Sequence, residues 1–247
     1  MADHFFIVGA QRSGTTYLYH LLDHHPAIEM AKPVRPEPKF FLRSDLDQLT
    51  REDYLSTYFS EKTPIRGEKS TSYIESEYAA RALSQWFPES KIIFLLRNPI
   101  DRAISNYKFS CHHNVETLPM HDAFMQEEAR RENYDHTRFS TSPYAYLKRG
   151  LYVNYIRQYE RYFPRKNLII YLFEELADNT SALQSLYAAL EVDETFIPPD
   201  ISSVVNASDD DVDIAIDNEL KHYLHSYFAT SNHELAQYLG RSLEIWD

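Results

Sequence analysis

Apolar and polar positions alternate in blocks along this chain. Three β-branched-rich apolar runs, residues 5–8, 91–96 and 168–172, read as strands buried on both faces. Residues 66–70 read as a shorter fourth strand. Between them, helical spacing of apolar positions predicts helices over 16–23, 76–86, 100–109 and 152–162. Strand and helix in alternation predict an α/β fold, a parallel sheet flanked by helices on both faces, with ligands beyond the C-terminal strand ends. Residues 112–142 are polar and irregular apart from a predicted helix near 122–131, and read as an insertion or lid. Residues 198–213 read as a loop with an acidic run, and 214–247 as C-terminal helices.

The first strand leads into a loop with chemistry. "FFIVGAQRSGTTYLYHLL", residues 5–22, has Gly9, four residues, Gly14, then Thr15 and Thr16. That is the spacing of the P-loop, G-x-x-x-x-G-K-[ST], with Thr15 in the lysine's place and a cation, Arg12, three residues earlier. The chain has five glycines, and two of them are here. A tightly turned backbone and a helix N-terminus favour an anion. Gln11, Arg12, Ser13, Gly14, Thr15 and Thr16 are therefore the candidate anion-binding residues. Neither strand 91–96 nor strand 168–172 ends in the Asp that helps to hold Mg²⁺ in an NTPase, and the pair Glu174 and Glu175 after the latter is a weak candidate, so ATP hydrolysis is disfavoured. A nucleotide with one phosphate on its 5′ side fits better, with Arg12 on the bridging oxygen and leaving group.

A second signal is "KIIFLLRNPIDRAISNYKFS", residues 91–110. A buried strand ends at Arg97, and Pro99 suits the first turn of a new helix. Arg97 and Ser105 could clasp a second anion. The plainer alternative is an Arg97–Asp101 ion pair with Ser105 merely packed.

Bulk composition narrows the reading. The 247 residues suit one domain. Net charge is −12, but residues 1–111 carry 14 charges of each sign while the rest carry 11 basic and 23 acidic. An anion site thus suits the N-terminal half, and nucleic acid is not an expected partner. One cysteine, Cys111, allows no internal disulfide. No run is long and apolar enough to span a membrane, and no secretory signal is visible, so the expected location is cytoplasmic. The 11 histidines show no zinc spacing, and no metal is expected. Tyr144 and Tyr146 are candidates for lining an acceptor cleft.

The loop variant followed by "LRNPIDRAISNY" resembles the 5′- and 3′-phosphate signatures of sulfotransferases that use 3′-phosphoadenosine 5′-phosphosulfate (PAPS). The heparan sulfate N- and O-sulfotransferase branch is the nearest in look. "HPAI" (25–28), "PEPKFF" (36–41), "GEKSTSYI" (67–74), "YLKRGLYVNYIRQYERYFP" (146–164) and "LIIYLFEEL" (168–176) follow in the same order. The resemblance covers about residues 4–180, with weaker support in "LGRSLEIW". It implies the sulfotransferase version of the P-loop fold over residues 1–247. It implies PAPS as donor, 3′-phosphoadenosine 5′-phosphate (PAP) as product, and no metal. The acceptor is a small molecule, a carbohydrate or a lipid-linked hydroxyl or amine. Glu37 aligns with the family's base, and Lys69 with a lysine near the sulfate; the plainer partner for Lys69 is its neighbour Glu68. Arg12 stands where the heparan branch usually has lysine; its fixed charge suits stabilisation better than proton donation. Arg97 and Ser105 become 3′-phosphate contacts. For "KRGLY" two readings stand: Lys148, Arg149 and Gly150 reach the nucleotide, or they cap and pack. The sequence departs from the heparan branch in the late loop, where "VVNASDDDV" (204–212) lacks a basic residue and no disulfide is available. The acidic run argues against a highly sulfated acceptor. The rival readings are a P-loop kinase and a non-catalytic PAP-binding module.

Overall fold

Strands β1 (His4–Gly9), β2 (Ile28–Met30), β3 (Ile65–Lys69), β4 (Lys91–Leu96) and β5 (Leu168–Leu172) form one all-parallel sheet in the order β2-β3-β1-β4-β5. The computed structural model describes residues 3–60, 65–199 and 216–246. The helices are α1 (Thr15–Asp23), α2 (Arg51–Tyr58), α3 (Glu77–Trp86), α4 (Pro99–His112), α5 (Met120–Met125), α6 (Glu127–Arg130), α7 (Tyr152–Glu160), α8 (Phe173–Leu176), α9 (Thr180–Ala189) and α10 (Asn218–Leu239). The described residues divide into two compact units, 3–96 with 158–199, and 97–157 with 216–246.

In the first unit β1 is buried along its whole length, as a central parallel strand must be. Phe5 and Ile7 pack with Leu18 and Leu22 of α1 and with Leu183, Leu186 and Tyr187 of α9. Phe6, on the opposite side of the pleat, packs against Phe41, Tyr54 of α2 and Phe87. Helices thus cover both faces, as the alternation of elements predicts. β4 and β5 match the sequence expectation, and β3 differs by one residue at each end. Three elements escape the pattern. β2 is three residues long, too short for any period. α2 buries only Tyr54, so it has no apolar stripe; its one local signal is the capping box of Thr50 and Asp53. α9 follows a polar stretch whose cap, Asn179, accepts from Ala182 N–H.

In the second unit α4, α5 and α10 enclose Ala103, Tyr107, Phe124, Tyr146, Leu220, Leu224 and Phe228. The helix expected near 122–131 is two short ones, α5 and α6. Their segment contributes inward: Glu116 is buried and accepts two bonds from Arg130 (3.0 Å each), two from the N–H groups of Thr117 and Leu118 (2.9 Å each) and one from Tyr146 Oη (3.0 Å). The late loop 204–212 lies outside the described residues. No helix among the described residues is long and apolar enough to cross a membrane.

Candidate active site

The loop between β1 and α1 is built for tight backbone. Gly14 has φ +80°, and a Cβ there would lie 2.3 Å from the Phe173 ring, so both conformation and packing demand glycine. Arg12 also sits at positive φ (68°). Ser13 is wholly buried, and its Oγ has no hydrogen-bond partner among the described residues. Thr15 and Thr16 open α1, whose first turn carries no acidic residue. Gln11, Arg12, Gly14 and Thr16 are half-buried and Thr15 is buried. A buried hydroxyl, a positive-φ turn and a helix N-terminus together suit an anion.

The neighbouring strand carries the second part. β3 lies beside β1 in register, with Phe6 opposite Glu68 and Ile7 opposite Lys69. β3 ends at Lys69, which is 3% exposed, and its Nζ donates to Glu37 Oε1 at 2.7 Å. Thr71 adds two donors: its N–H to Glu37 Oε2 (2.9 Å) and its Oγ1 to the same oxygen (2.9 Å). A carboxylate from the proline-flanked stretch 36–38 is thereby fixed, with 15% of its side chain open. Sequence reasoning offers Glu68 as the plainer partner for Lys69. The pleat sends successive side chains to opposite sides, and Lys69 goes to Glu37 instead. Sequence reasoning gives Thr71 no part in holding Glu37, although it sits in "GEKSTSYI".

Glu68 takes the other side. It is fully buried, 1% exposed, and accepts from Ser70 Oγ (2.6 Å) and Tyr54 Oη (2.8 Å), with a further hydrogen bond from Tyr73. Burial raises its pKa to about 7; the three hydroxyls pull it down and the charge of Glu37 pushes it up.

In the second unit Arg97, Asp101, Ile104, Ser105 and Lys108 line a hollow of about 230 Å³. Asn98 starts α4 by accepting from Ile100 N–H (2.9 Å), and its Nδ2 donates to Trp246 O (2.8 Å). Tyr152 Oη donates to Arg97 O (2.8 Å). The backbone at Arg97 and the start of α4 are thus held by Trp246 of "LGRSLEIW" and Tyr152 of "KRGLY". Within "KRGLY", Arg149 is buried and donates to Asn106 Oδ1 and Ser142 O, both at 2.8 Å. Lys148 N–H donates to Glu127 Oε1 (2.8 Å). A Cβ on Gly150 would come within 2.9 Å of Phe228 and Pro99, so its backbone lies tight against α4 and α10. A larger hollow of about 530 Å³ lies along α9, lined by Ser181, Gln184, Ser185, Ala188, Glu194 and Thr195; it holds no cation.

The bovine bifunctional heparan sulfate N-deacetylase/N-sulfotransferase 2 is 29% identical over 185 residues, 72% of this chain and 20% of that protein. Human heparan sulfate glucosamine 3-O-sulfotransferase 6 is 28% identical over 178 residues, 70% of this chain and 47% of that protein. The chain therefore matches only a fifth to a half of these relatives' length. A crystal structure of a sulfotransferase from Alicyclobacillus acidocaldarius superposes with a TM-score of 0.80 at 26% identity, covering 100% of this chain and 98% of that one. The model of the sulfotransferase domain matches residues 2–195, a span that contains all five strands, the loop of Arg12, Glu37, Lys69, Arg97 and Ser105. The chain belongs to the sulfotransferase domain family.

Proposed function

We propose that this chain transfers a sulfuryl group from PAPS to a hydroxyl or amine, with Glu37 as general base. The observation that carries the reading is the Lys69–Glu37–Thr71 constellation at the end of β3, beside the strand that feeds the anion loop. In this reading the loop, Gln11 to Thr16, takes the 5′-phosphosulfate, with Ser13 Oγ among the donors. Arg97 and Ser105 take the 3′-phosphate. Lys108, on the same hollow, adds positive charge. Arg149 and Gly150, offered for the nucleotide, fit their packing alternative better: the arginine bonds Asn106 and Ser142, and the glycine allows close approach to Pro99 and Phe228.

The chemistry follows from the groups present. The acceptor oxygen or nitrogen forms a bond to sulfur while the bond from sulfur to the bridging phosphate oxygen breaks. The acceptor's proton goes to Glu37, and the electron pair leaves with PAP. Lys69 and Arg12 face the charge that grows on the transferring group and the leaving oxygen, where fixed cations contribute most. The relatives' names place their chemistry on heparan sulfate, so a carbohydrate is the first acceptor class to test. A small-molecule or lipid-linked acceptor comes next.

The experiment measures transfer of ³⁵S from labelled PAPS to de-N-sulfated heparan oligosaccharides and to simple alcohols and amines, with wild type and Glu37→Gln. The reading expects wild-type transfer to one class and a loss of about 10²–10⁴-fold in the variant, with PAP affinity kept. Undiminished transfer by Glu37→Gln would remove Glu37 as base.

A further inference from the structure

Residues 68–71 divide their labour in alternation. Lys69 and Thr71 hold the Glu37 carboxylate. Glu68 and Ser70 turn the other way, and Ser70 reaches the backbone just beyond Glu37. Lys39 N–H donates to Ser70 Oγ at 2.8 Å, and Ser70 Oγ donates onward to Glu68 Oε1 at 2.6 Å. Phe41 N–H donates to Tyr73 Oη at 3.0 Å, and that hydroxyl is bonded to Glu68 in turn. Two amides of one short segment are thus received by two hydroxyls, and both hydroxyls end on one carboxylate. Lys39 needs such a hold, because it sits at φ +49° without being glycine.

The directions of these bonds matter. A hydroxyl that accepts from an N–H has its own proton to give, and an ionised carboxylate only accepts. Ser70, Tyr73 and Tyr54 all give to Glu68, so every proton has a destination. A proton on Glu68 adds a fourth donor to a site already supplied with three. One hydroxyl must then accept that proton and turn its own away from the carboxylate; where that hydroxyl is Ser70 or Tyr73, the redirected proton crowds the amide it receives.

We propose that Glu68 is a positioning residue of the reaction, its ionised carboxylate setting the hydroxyl directions that hold the segment carrying Glu37. This rests on Glu37 being the base. The groups facing Glu68 are Tyr54 and Tyr58 from α2, Ser70 and Tyr73 after β3, Tyr159 from α7, and Glu37. None of these is a cation, and burial, helped by the Glu37 charge, moves its ionisation to about pH 7. The positioning is thus complete above neutrality and lost below it.

The test is amide hydrogen exchange by NMR at Lys39 and Phe41, from pH 5.5 to 8.5, on wild type, Glu68→Gln and Ser70→Ala. Wild type should gain protection at both amides around pH 7, beyond the intrinsic pH dependence of exchange. Glu68→Gln should lose about tenfold at both, with no step near pH 7 and the β3 amides unchanged. Ser70→Ala should expose Lys39 alone, and carries the test if Glu68→Gln does not fold. PAP affinity should stay within twofold in both, while kcat for ³⁵S transfer from PAPS falls about tenfold with KM for PAPS unchanged. Wild-type protection and kcat in both variants, or a uniform loss of protection across the sheet, would overturn the proposal. Glu37→Gln run alongside keeps the two claims apart: full turnover there removes the base, whereas lost turnover there with wild-type behaviour in the Glu68 and Ser70 variants removes only the positioning role.

Discussion

Glu68 in the first unit and Glu116 in the second are both buried carboxylates, and they are held in opposite ways. Glu116 receives a two-pronged guanidinium from Arg130, two backbone N–H groups and the hydroxyl of Tyr146. Burial pushes its carboxyl up, but these donors outweigh it and its pKa lies below the usual value. Glu68 receives hydroxyls only, and burial wins, raising its pKa to about 7. Glu116 has the charged donor and the lighter desolvation, Glu68 has neutral donors and the heavier, and both differences push the two carboxylates apart in the same direction. The Glu116 site has the form of a structural clasp. The Glu68 site places a costly charge beneath the proposed catalytic loop, where a fold optimised for stability alone would put none.

Mutations sharpen this contrast. The largest effect should come from Glu37→Gln, about 10²–10⁴-fold in ³⁵S transfer, with the thermal midpoint nearly unmoved. Arg130→Ala should leave Glu116 buried without its cation and cost about 3–5 kcal/mol, read as a large fall in Tm, with PAP affinity retained in whatever remains folded. An Arg130→Ala protein as stable as wild type would break the reading of Glu116 as a clasp. The pH dependence of stability should carry opposite signs at the two sites. The folded pKa of Glu68 is raised, so its contribution is fully present below about pH 4.5 and is lost as pH rises to about 7. That loss is a few kcal/mol, because each tenfold change in proton affinity is worth about 1.4 kcal/mol. Wild type should therefore lose stability relative to Glu68→Gln across that window. The folded pKa of Glu116 is lowered, so its contribution is present above the ordinary carboxylate value and is lost as pH falls through the folded one. The smallest effect should be Asn98→Ala, about 1 kcal/mol from the lost cap of α4, seen as a modest shift in denaturation midpoint.

Legibility in the sequence follows the range of the interactions. The strands β1, β4 and β5 and the tight turn between β1 and α1 are readable because their signals are local: apolar runs, and Gly9, Gly14, Thr15 and Thr16 at fixed spacing. Glu37 is readable only through family resemblance, because an irregular loop has no period and nothing local points it at Lys69, 32 residues away. The hydroxyls around Glu68 come from α2 and from the turn after β3, brought together by packing that no spacing encodes. The segment 112–142 reads as polar, yet Glu116 faces inward, because Arg130 and Tyr146, 14 and 30 residues on, satisfy it there. Buried polar clusters are long-range features, and that is why periodicity passes over both.

The most direct measurement is calorimetric titration of the protein with PAP, with 5′-AMP and with ATP plus Mg²⁺. The account predicts micromolar binding of PAP, none of comparable strength for the other two, and about a 10–100-fold loss in Arg97→Ala, the worth of one charged hydrogen bond to a phosphate. Absence of PAP binding, or a preference for ATP with Mg²⁺, would contradict the donor assignment and return the loop around Arg12 to the kinase reading.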